Sequence, residues 1–423
     1  MSGKVAFVTL GCKLNFSESS ALCREFELNG YKRVSHTSKA DIYVINTCTV
    51  TEHADKKSRN LIRRLRSQNP DAVVAVTGCY AQLKPDEILS IEGVDLVLGA
   101  DQKHNLYVRV SEIESGRRGK ESTETSRSYP CEISRLRTIF PAYSSDERTR
   151  SFLKVQDGCD YHCSYCTIPL ARGRSRNIPV AALVNQAEQI AAGGIKEIVL
   201  TGVNTGDYGK STGESFISLM NALESVEGIE RYRISSIEPN LITGEILEHI
   251  ASGGKFLHHF HIPLQSGSDK ILSAMRRRYT TGDFRNKTEL IRKLMPFAFI
   301  GIDLITGFPG EDEEGFLESC RFLESINPSF IHIFPYSRRN NTPAATFRDQ
   351  VDERIKKERV RRLMEMNEKF HSDFLKLNTG RREKVLFEST RRGGMMYGYT
   401  GNYIRVERVY DPDLIGKIVE ITI

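Results

Sequence analysis

Three cysteines at x3 and x2 spacing, Cys159-Asp-Tyr-His-Cys163-Ser-Tyr-Cys166, stand directly after the apolar run Phe152-Leu-Lys-Val-Gln156. Three thiolates on one short loop can hold three irons of a cubane iron–sulfur cluster and leave the fourth iron without a protein ligand. A structural zinc site is normally closed by four ligands, and no fourth Cys follows in this run. His162 is the residue that would close a zinc site here, from an awkward position between two ligands, and metal-free buried cysteines are the bland alternative. The spacing points to an open iron–sulfur cluster with an exchangeable position on the metal.

Three further cysteines each end an apolar run: Val5-Ala-Phe-Val-Thr-Leu-Gly-Cys12, Ile42-Tyr-Val-Ile-Asn-Thr-Cys48 and Val73-Val-Ala-Val-Thr-Gly-Cys79. Short, continuous β-branched runs read as strands buried on both faces. Helical stretches over 17–29 and 51–68 separate them, so the expected order is strand–helix–strand–helix–strand in a parallel sheet, extended by Val94-Asp-Leu-Val-Leu98. Ligands collect at the carboxyl edge of such a sheet, and Cys12, Cys48 and Cys79 all follow strand ends. A lone free Cys is a common buried small hydrophobe; the same placement three times argues for a second three-cysteine cluster. Of the nine cysteines, Cys23 and Cys320 then fall in predicted helices as core residues, and Cys131 in a polar connecting segment. The odd total, the lack of a signal peptide and the lack of a run long enough to span a bilayer point to a reducing, cytoplasmic setting without disulfides.

The x3/x2 spacing, with Tyr165 just before the last Cys, resembles the radical S-adenosylmethionine (SAM) superfamily. The two three-cysteine sets together resemble the methylthiotransferases. The resemblance covers nearly the whole chain and is carried by Gly11-Cys-Lys-Leu-Asn15, Asn46-Thr-Cys48, Gly78-Cys79, Val155-Gln-Asp-Gly-Cys159, Pro169-Leu-Ala-Arg-Gly173, Ser235-Ser-Ile-Glu-Pro239, His261-Ile-Pro-Leu-Gln-Ser-Gly-Ser268 and Gly307-Phe-Pro-Gly-Glu311. It implies two [4Fe–4S] clusters, one on Cys12, Cys48 and Cys79 and one on Cys159, Cys163 and Cys166, with SAM on the open iron of the second. It implies insertion of a methylthio group at an unactivated C–H bond of a tRNA base, and an electron donor such as a flavodoxin or ferredoxin. Gly-Cys-Lys-Leu-Asn and Gly398-Tyr-Thr-Gly-Asn-Tyr-Ile404 are most similar to the branch acting on N6-threonylcarbamoyladenosine beside the anticodon. Isopentenyladenosine in tRNA, or a ribosomal protein side chain, is the alternative substrate. Tyr336-Ser-Arg-Arg-Asn-Asn-Thr-Pro343 departs from the family's pattern, which carries Pro and Gly in this turn.

To position these sites the chain of 423 residues is long enough for two or three domains. The expected fold is α/β: residues 1–135 form an N-terminal parallel α/β sheet domain carrying the auxiliary cluster, 136–375 a partial (β/α)6 radical SAM barrel, and 376–423 a small antiparallel β-barrel resembling a TRAM domain. Residues 101–150, polar and charged around Arg117-Arg-Gly-Lys-Glu, read as a connector. Candidate barrel strands are 152–155, 197–200, 232–235, 259–262, 299–305 and 331–334. Function in such a barrel lies on the carboxyl-end loops, and the cysteine loop follows the first strand. Leu200-Thr-Gly-Val-Asn204 follows the second, and the resemblance puts Gly202 and Asn204 near the amino acid part of SAM. Glu238 follows the third strand, where it would meet ribose hydroxyls, and Gln265 follows the fourth. Asp303 reads as a buried structural carboxylate. His258, His259 and His261 read as packing or loop residues, because alternate residues of a strand face opposite sides.

The net charge of +6 is concentrated: residues 354–392 hold 13 Lys or Arg against 6 Asp or Glu, a net +7. Much of 352–378 is a charged helix, and Gly380–Ile423 alternates apolar and polar residues with Gly turns. Arg381, Arg382, Lys384, Arg391, Arg392 and Tyr397 combine cations with an aromatic, the chemistry single-stranded RNA loops require. With the resemblance, they imply contact to a tRNA anticodon stem-loop, and Arg276-Arg-Arg-Tyr279 is a second candidate RNA contact.

Overall fold

The computed structural model describes residues 3–119, 126–145 and 149–423 and divides into two compact units. The first comprises residues 1–144, 156–161 and 166–178; the second comprises 145–155, 162–165 and 179–423.

The first unit is built on strands β1 (Lys4–Thr9), β2 (Lys32–Arg33), β3 (Ile42–Thr47), β4 (Val73–Gly78), β5 (Leu96–Leu98) and β6 (Arg127–Tyr129), all parallel and ordered β2-β1-β3-β4-β5-β6. Both faces are covered. Val5, Ile42, Val44, Val73 and Ala75 pack against Leu22, Phe26, Leu106 and Val110, while Ala6, Tyr43, Ile45, Val74 and Val76 pack against Leu61, Ile62, Leu65 and Tyr80. Burial on both sides is why these runs lack polar alternation. The connector reading is corrected in part: its described residues include the helix Leu106–Gly119 and the sixth strand. Leu106 and Val110 anchor the helix, and the strand lies at the sheet edge, so few apolar side chains suffice. Residues 120–125 and 146–148 of that stretch lie outside the described residues. A short antiparallel pair, β8 (Gln156–Asp157) and β9 (Arg176–Asn177), completes the unit.

The second unit contains all six expected barrel strands. β7 (Arg150–Lys154), β10 (Glu197–Thr201) and β11 (Arg231–Ile234) form one parallel sheet; β12 (His259–Gln265), β13 (Phe299–Thr306) and β14 (Phe330–Pro335) form another. A parallel bridge between Tyr232 and Phe256 and the bond from Ile237 N–H to the His261 carbonyl (3.1 Å) join them. The helix Glu353–Asn378 leads into an antiparallel sheet of β15 (Arg382–Arg392), β16 (Met395–Thr400), β17 (Arg405–Val409) and β18 (Ile418–Thr422), ordered β17-β16-β15-β18. Its core holds Val385, Phe387 and Met396.

This small sheet closes the amino ends of the barrel strands. Phe299 at the start of β13 packs with Phe374, Ile404 and Tyr403, and His259 stacks on Phe299 at 5.1 Å. Arg231 donates to the carbonyls of Lys384 and Tyr399, and Arg233 to those of Thr400 and Gly401. Both arginines and Arg150 surround the fully buried Glu197. Burial alone would raise Glu197, but Arg233 and Arg150 hold its carboxyl below the usual range. With that end sealed, the carboxyl ends of the strands are left for ligands. In the departing turn, Asn341 takes a left-handed φ of 67°, a conformation Asn tolerates better than most residues.

Candidate active site

In the first unit the strand order is that of a doubly wound sheet reversing between β1 and β3, where the carboxyl edge opens a crevice. Cys12 follows β1 and caps the helix Lys13–Leu28, Cys48 follows β3, and Cys79 follows β4. The structure brings the three thiols together. Cys48 is pushed up to about 11, first by burial and then by the neighbouring Cys79 and, more weakly, Cys12. Gly11 (φ 101°) lies so close to Cys48 that an added Cβ would stand 2.7 Å from its Cβ. That explains the Gly before Cys12.

The surrounding motif residues hold these loops in place. Asn15 donates to the carbonyls of Leu10 (2.8 Å) and Thr47 (3.0 Å), and Asn46 donates to the Asn15 carbonyl (3.0 Å) and to Ser19 (3.2 Å). Thr47 donates to the Thr77 carbonyl at 2.6 Å. The asparagines of Gly-Cys-Lys-Leu-Asn and Asn-Thr-Cys thus tie the first two cysteine loops into one edge.

The buried Arg172 is the arginine of Pro169-Leu-Ala-Arg-Gly173, and local sequence does not mark it as a site residue. It ends the helix Ile168–Arg172, which starts two residues after Cys166. Its Nε donates to Cys79 Sγ at 3.3 Å, and the same guanidinium bonds Glu18 (3.2 Å), Asp157 (2.9 Å) and Asn15. Lys103 pairs with Glu18, and Arg176 lies 3.8 Å from Asp157. These three buried cations and two buried carboxylates sum to one positive charge beside the cysteines. Burial raises the Cys79 thiol, and Arg172 opposes that rise. Three converging thiols with a surplus cation fit an anionic iron–sulfur cluster, whose potential responds to net charge and N–H···S bonds.

Each sulfur of the Cys159–Cys166 loop also accepts an N–H: Cys159 from Tyr161 (3.4 Å), Cys166 from Ile168 (3.5 Å) and Cys163 from Arg277 (3.1 Å). Such donors favour thiolates and fit cluster ligands. Arg277 also bonds Glu238, Tyr279 (3.0 Å) and Tyr165 (3.5 Å). Burial raises Glu238, with Arg277 opposing. The sequence placed Arg276-Arg-Arg-Tyr279 on RNA. Arg276 is exposed, but Arg277 points inward because the preceding helix ends in a Schellman turn: Arg276 adopts φ 58° and Arg277 N–H returns to the Leu272 carbonyl at 2.9 Å.

Tyr165 packs edge-on against Phe308 at 6.4 Å. Gly202 and the buried Asn204 follow β10. Gln265 ends β12 at a register shift with φ 66°, and its buried Oε1 finds no hydrogen-bond partner among the described residues. A strained residue with an unmet acceptor at a strand end suits a ligand contact. Glu311 of Gly307-Phe-Pro-Gly-Glu311 instead accepts from Arg359 at 2.7 Å and from Gly307 N–H, a structural brace.

Among the candidate RNA contacts, Arg382, Lys384, Arg391 and Arg392 are exposed, although Arg382 pairs with Glu420 at 2.8 Å. Arg381 lies over the Phe297 ring at 3.5 Å and pairs with Glu383, so much of it is committed to packing. Arg405 stacks over Tyr397 at 4.9 Å, a cation–aromatic pair the sequence reading did not include. The first unit also carries a basic cleft of about 520 Å³ beside the end of β1, lined by His53, Lys56, Lys57 and Arg64.

Comparison with known proteins accords with this arrangement. Residues 4–99 match the model of Uncharacterized protein family UPF0004, and residues 153–323 that of the Radical SAM superfamily. The chain is 42% identical to the threonylcarbamoyladenosine tRNA methylthiotransferase MtaB of Bacillus subtilis over 99% of its own length and 93% of that protein. It is 40% identical to the MtaB of Aquifex aeolicus, over 99% and 100% of the two chains. A tRNA-2-methylthio-N(6)-dimethylallyladenosine synthase from Pelotomaculum thermopropionicum is 33% identical over 99% and 95%. Among solved structures, the radical SAM methyltransferase TsrM of Kitasatospora setae shares the fold with a TM-score of 0.60, at 17% identity over 81% of this chain and 75% of that one. The chain belongs to the family of the threonylcarbamoyladenosine tRNA methylthiotransferases.

Proposed function

We infer that the protein inserts a methylthio group at C2 of N6-threonylcarbamoyladenosine beside the anticodon of tRNA. The observation carrying this reading is near full-length identity of 40–42% to two proteins of that name, in a chain whose two three-cysteine sets each receive N–H donors at sulfur. Cys12, Cys48 and Cys79 hold one [4Fe–4S] cluster, and Cys159, Cys163 and Cys166 the other. Tyr165, Gly202, Asn204, Glu238 and Gln265 bind SAM. When bound, these groups supply the sulfur carrier, the methyl group and the carbon radical that removes hydrogen from the base.

The chain's own residues position and insulate. Arg172 holds the Cys79 sulfur and the helix after Cys166 on one guanidinium. Arg277 orients Glu238, and that carboxylate accepts from the ribose hydroxyls of SAM. Arg382, Lys384, Arg391 and Arg392 grip phosphates of the anticodon stem-loop, and the target base leaves its stack, a modest cost in an unpaired loop. The domains follow the limits 1–135, 136–375 and 376–423, the last in the role of a TRAM domain. A flavodoxin or ferredoxin serves as reductant. No helix among the described residues is long and apolar enough to cross a membrane, and the protein works in the cytoplasm.

The test is anaerobic. Protein reconstituted with iron and sulfide, then reduced, is given SAM and threonylcarbamoylated tRNA, and the RNA is digested for nucleoside mass spectrometry. A methylthio gain on that adenosine is expected. Cys163→Ala should abolish 5′-deoxyadenosine formation, whereas Cys48→Ala should retain it and lose the methylthio product. A Cys48→Ala protein that still thiomethylates RNA would refute the assignment of sulfur delivery.

Joint replacement of Arg391 and Arg392 by Gln should weaken tRNA binding and reduce the slope of log affinity against log salt by roughly 0.7 per lost single-strand phosphate contact. A filter-binding salt series measures it; an unchanged slope removes the C-terminal sheet from the interface.

A further inference from the structure

His261, Asp303 and His332 lie on the adjacent strands β12, β13 and β14, and their ligating atoms stand within 4.8 Å of one another. His261 Nε2 and Asp303 Oδ1 are 2.7 Å apart, and the two imidazole rings are 4.9 Å apart. The strand neighbours Phe260, Ile262, Ile302, Leu304 and Ile331 are buried on the opposite side. The three polar groups are only half-buried, with His261 and Asp303 each about one-fifth exposed, so they remain accessible on the side of the strands away from those apolar neighbours. They also stand beside the site described above: Ile237 bonds the His261 backbone, and Asp303 acts electrostatically on Glu238. Asp303, expected as a buried structural carboxylate, is half-buried and pairs with His261, whose ring packs beside that of His332. Only the cross-strand register, pairing Asp303 with His332, assembles the set.

We propose that His261, Asp303 and His332 recognise the polar N6 substituent of the target adenosine. The proposal rests on the function inferred above. A threonylcarbamoyl group offers a carboxylate and a hydroxyl on a short arm. Two imidazoles can donate to the carboxylate, and Asp303, which orients His261, can accept from the hydroxyl. A dimethylallyl arm offers none of these groups and would set carbon against the His261–Asp303 pair and His332, costing them water without a new hydrogen bond. Sites built to hydrogen-bond a polar substituent reject apolar analogues strongly for that reason.

The experiment compares reconstituted wild type, His332→Ala, His332→Gln and Asp303→Asn on tRNA carrying threonylcarbamoyladenosine and on tRNA carrying dimethylallyladenosine, reading kcat/KM for each. Metal content of the same preparations is measured in parallel. Expected is a loss of at least about tenfold on the threonylcarbamoyl substrate, with the ratio between the two substrates shrinking, as follows from losing one charge-assisted hydrogen bond. His332→Gln, which keeps a donor, should lose less than His332→Ala. An unchanged ratio in all variants overturns the proposal, including an equal fall on both substrates from a merely structural effect. One divalent ion per chain, lost in Asp303→Asn, also overturns it, in favour of a metal site. Wild type inactive on threonylcarbamoylated tRNA but active on the other substrate would refute the functional reading itself, a result separate from these.

Discussion

Arg172→Met is expected to lower methylthio transfer at least about a hundredfold and to destabilise the first unit. The guanidinium is buried and shared among Cys79, Glu18, Asp157 and Asn15. Removing one partner of a buried ion pair costs about 3–5 kcal/mol, because the remaining charge is left in low dielectric. Here Glu18 would still pair with Lys103, and Asp157 would keep the Gly158 N–H and the more distant Arg176, but both would lose the shared guanidinium. The proposed auxiliary-cluster ligand Cys79 would lose its N–H donor, and the helix following Cys166 would lose its anchor. Arg172→Lys retains the charge without the planar fork and should recover only part of the activity. Product assay, iron content, thermal unfolding and the electron paramagnetic resonance spectrum of the reduced protein check this together. A lower unfolding temperature with an unaltered spectrum and full turnover would reduce Arg172 to a structural brace.

The second large effect is expected at Arg277. Arg277→Met removes the N–H donor from Cys163 and leaves Glu238 buried without its partner. Burial already raises the Glu238 carboxyl, and Asp303 and Asp207 raise it further. Without Arg277 the carboxyl takes up a proton more readily and loses acceptor strength toward a ribose. SAM affinity and 5′-deoxyadenosine formation should fall at least about tenfold. Raising the pH should recover part of the loss, since it restores the carboxylate. SAM binding by equilibrium dialysis, and 5′-deoxyadenosine yield across a pH series, measure the two parts. Wild-type affinity in the variant would separate Glu238 from the cofactor. Neighbouring Arg276→Gln, on the exposed left-handed residue, should leave both quantities unchanged.

What this chain's sequence determined by itself is local. Continuous β-branched runs announced strands buried on both faces, and β1, β3, β4 and β5 lie where those runs are. The six barrel strands were equally legible, as was the position of Cys12, Cys48 and Cys79 directly after strand ends. Such features depend on periodicities of two or 3.6 residues and on turn chemistry, which a short window contains. The sixth strand Arg127–Tyr129 was not legible, because an edge strand of three half-buried residues carries almost no apolar pattern.

What only the tertiary structure decided is which distant side chains meet. Arg172 reaches Cys79 across 93 positions, Glu18 across 154 and Asn15 across 157. A Schellman turn, not the composition of Arg276-Arg-Arg-Tyr279, sends one arginine inward beside Cys163 and leaves its neighbour in solvent. His261, Asp303 and His332 are separately unremarkable residues of three strands, and a one-residue slip in register would turn any of them to the opposite face. Local sequence sets which face a residue can take. The pairing of strands and the capping of helices, fixed by burial over the whole chain, set what that face meets.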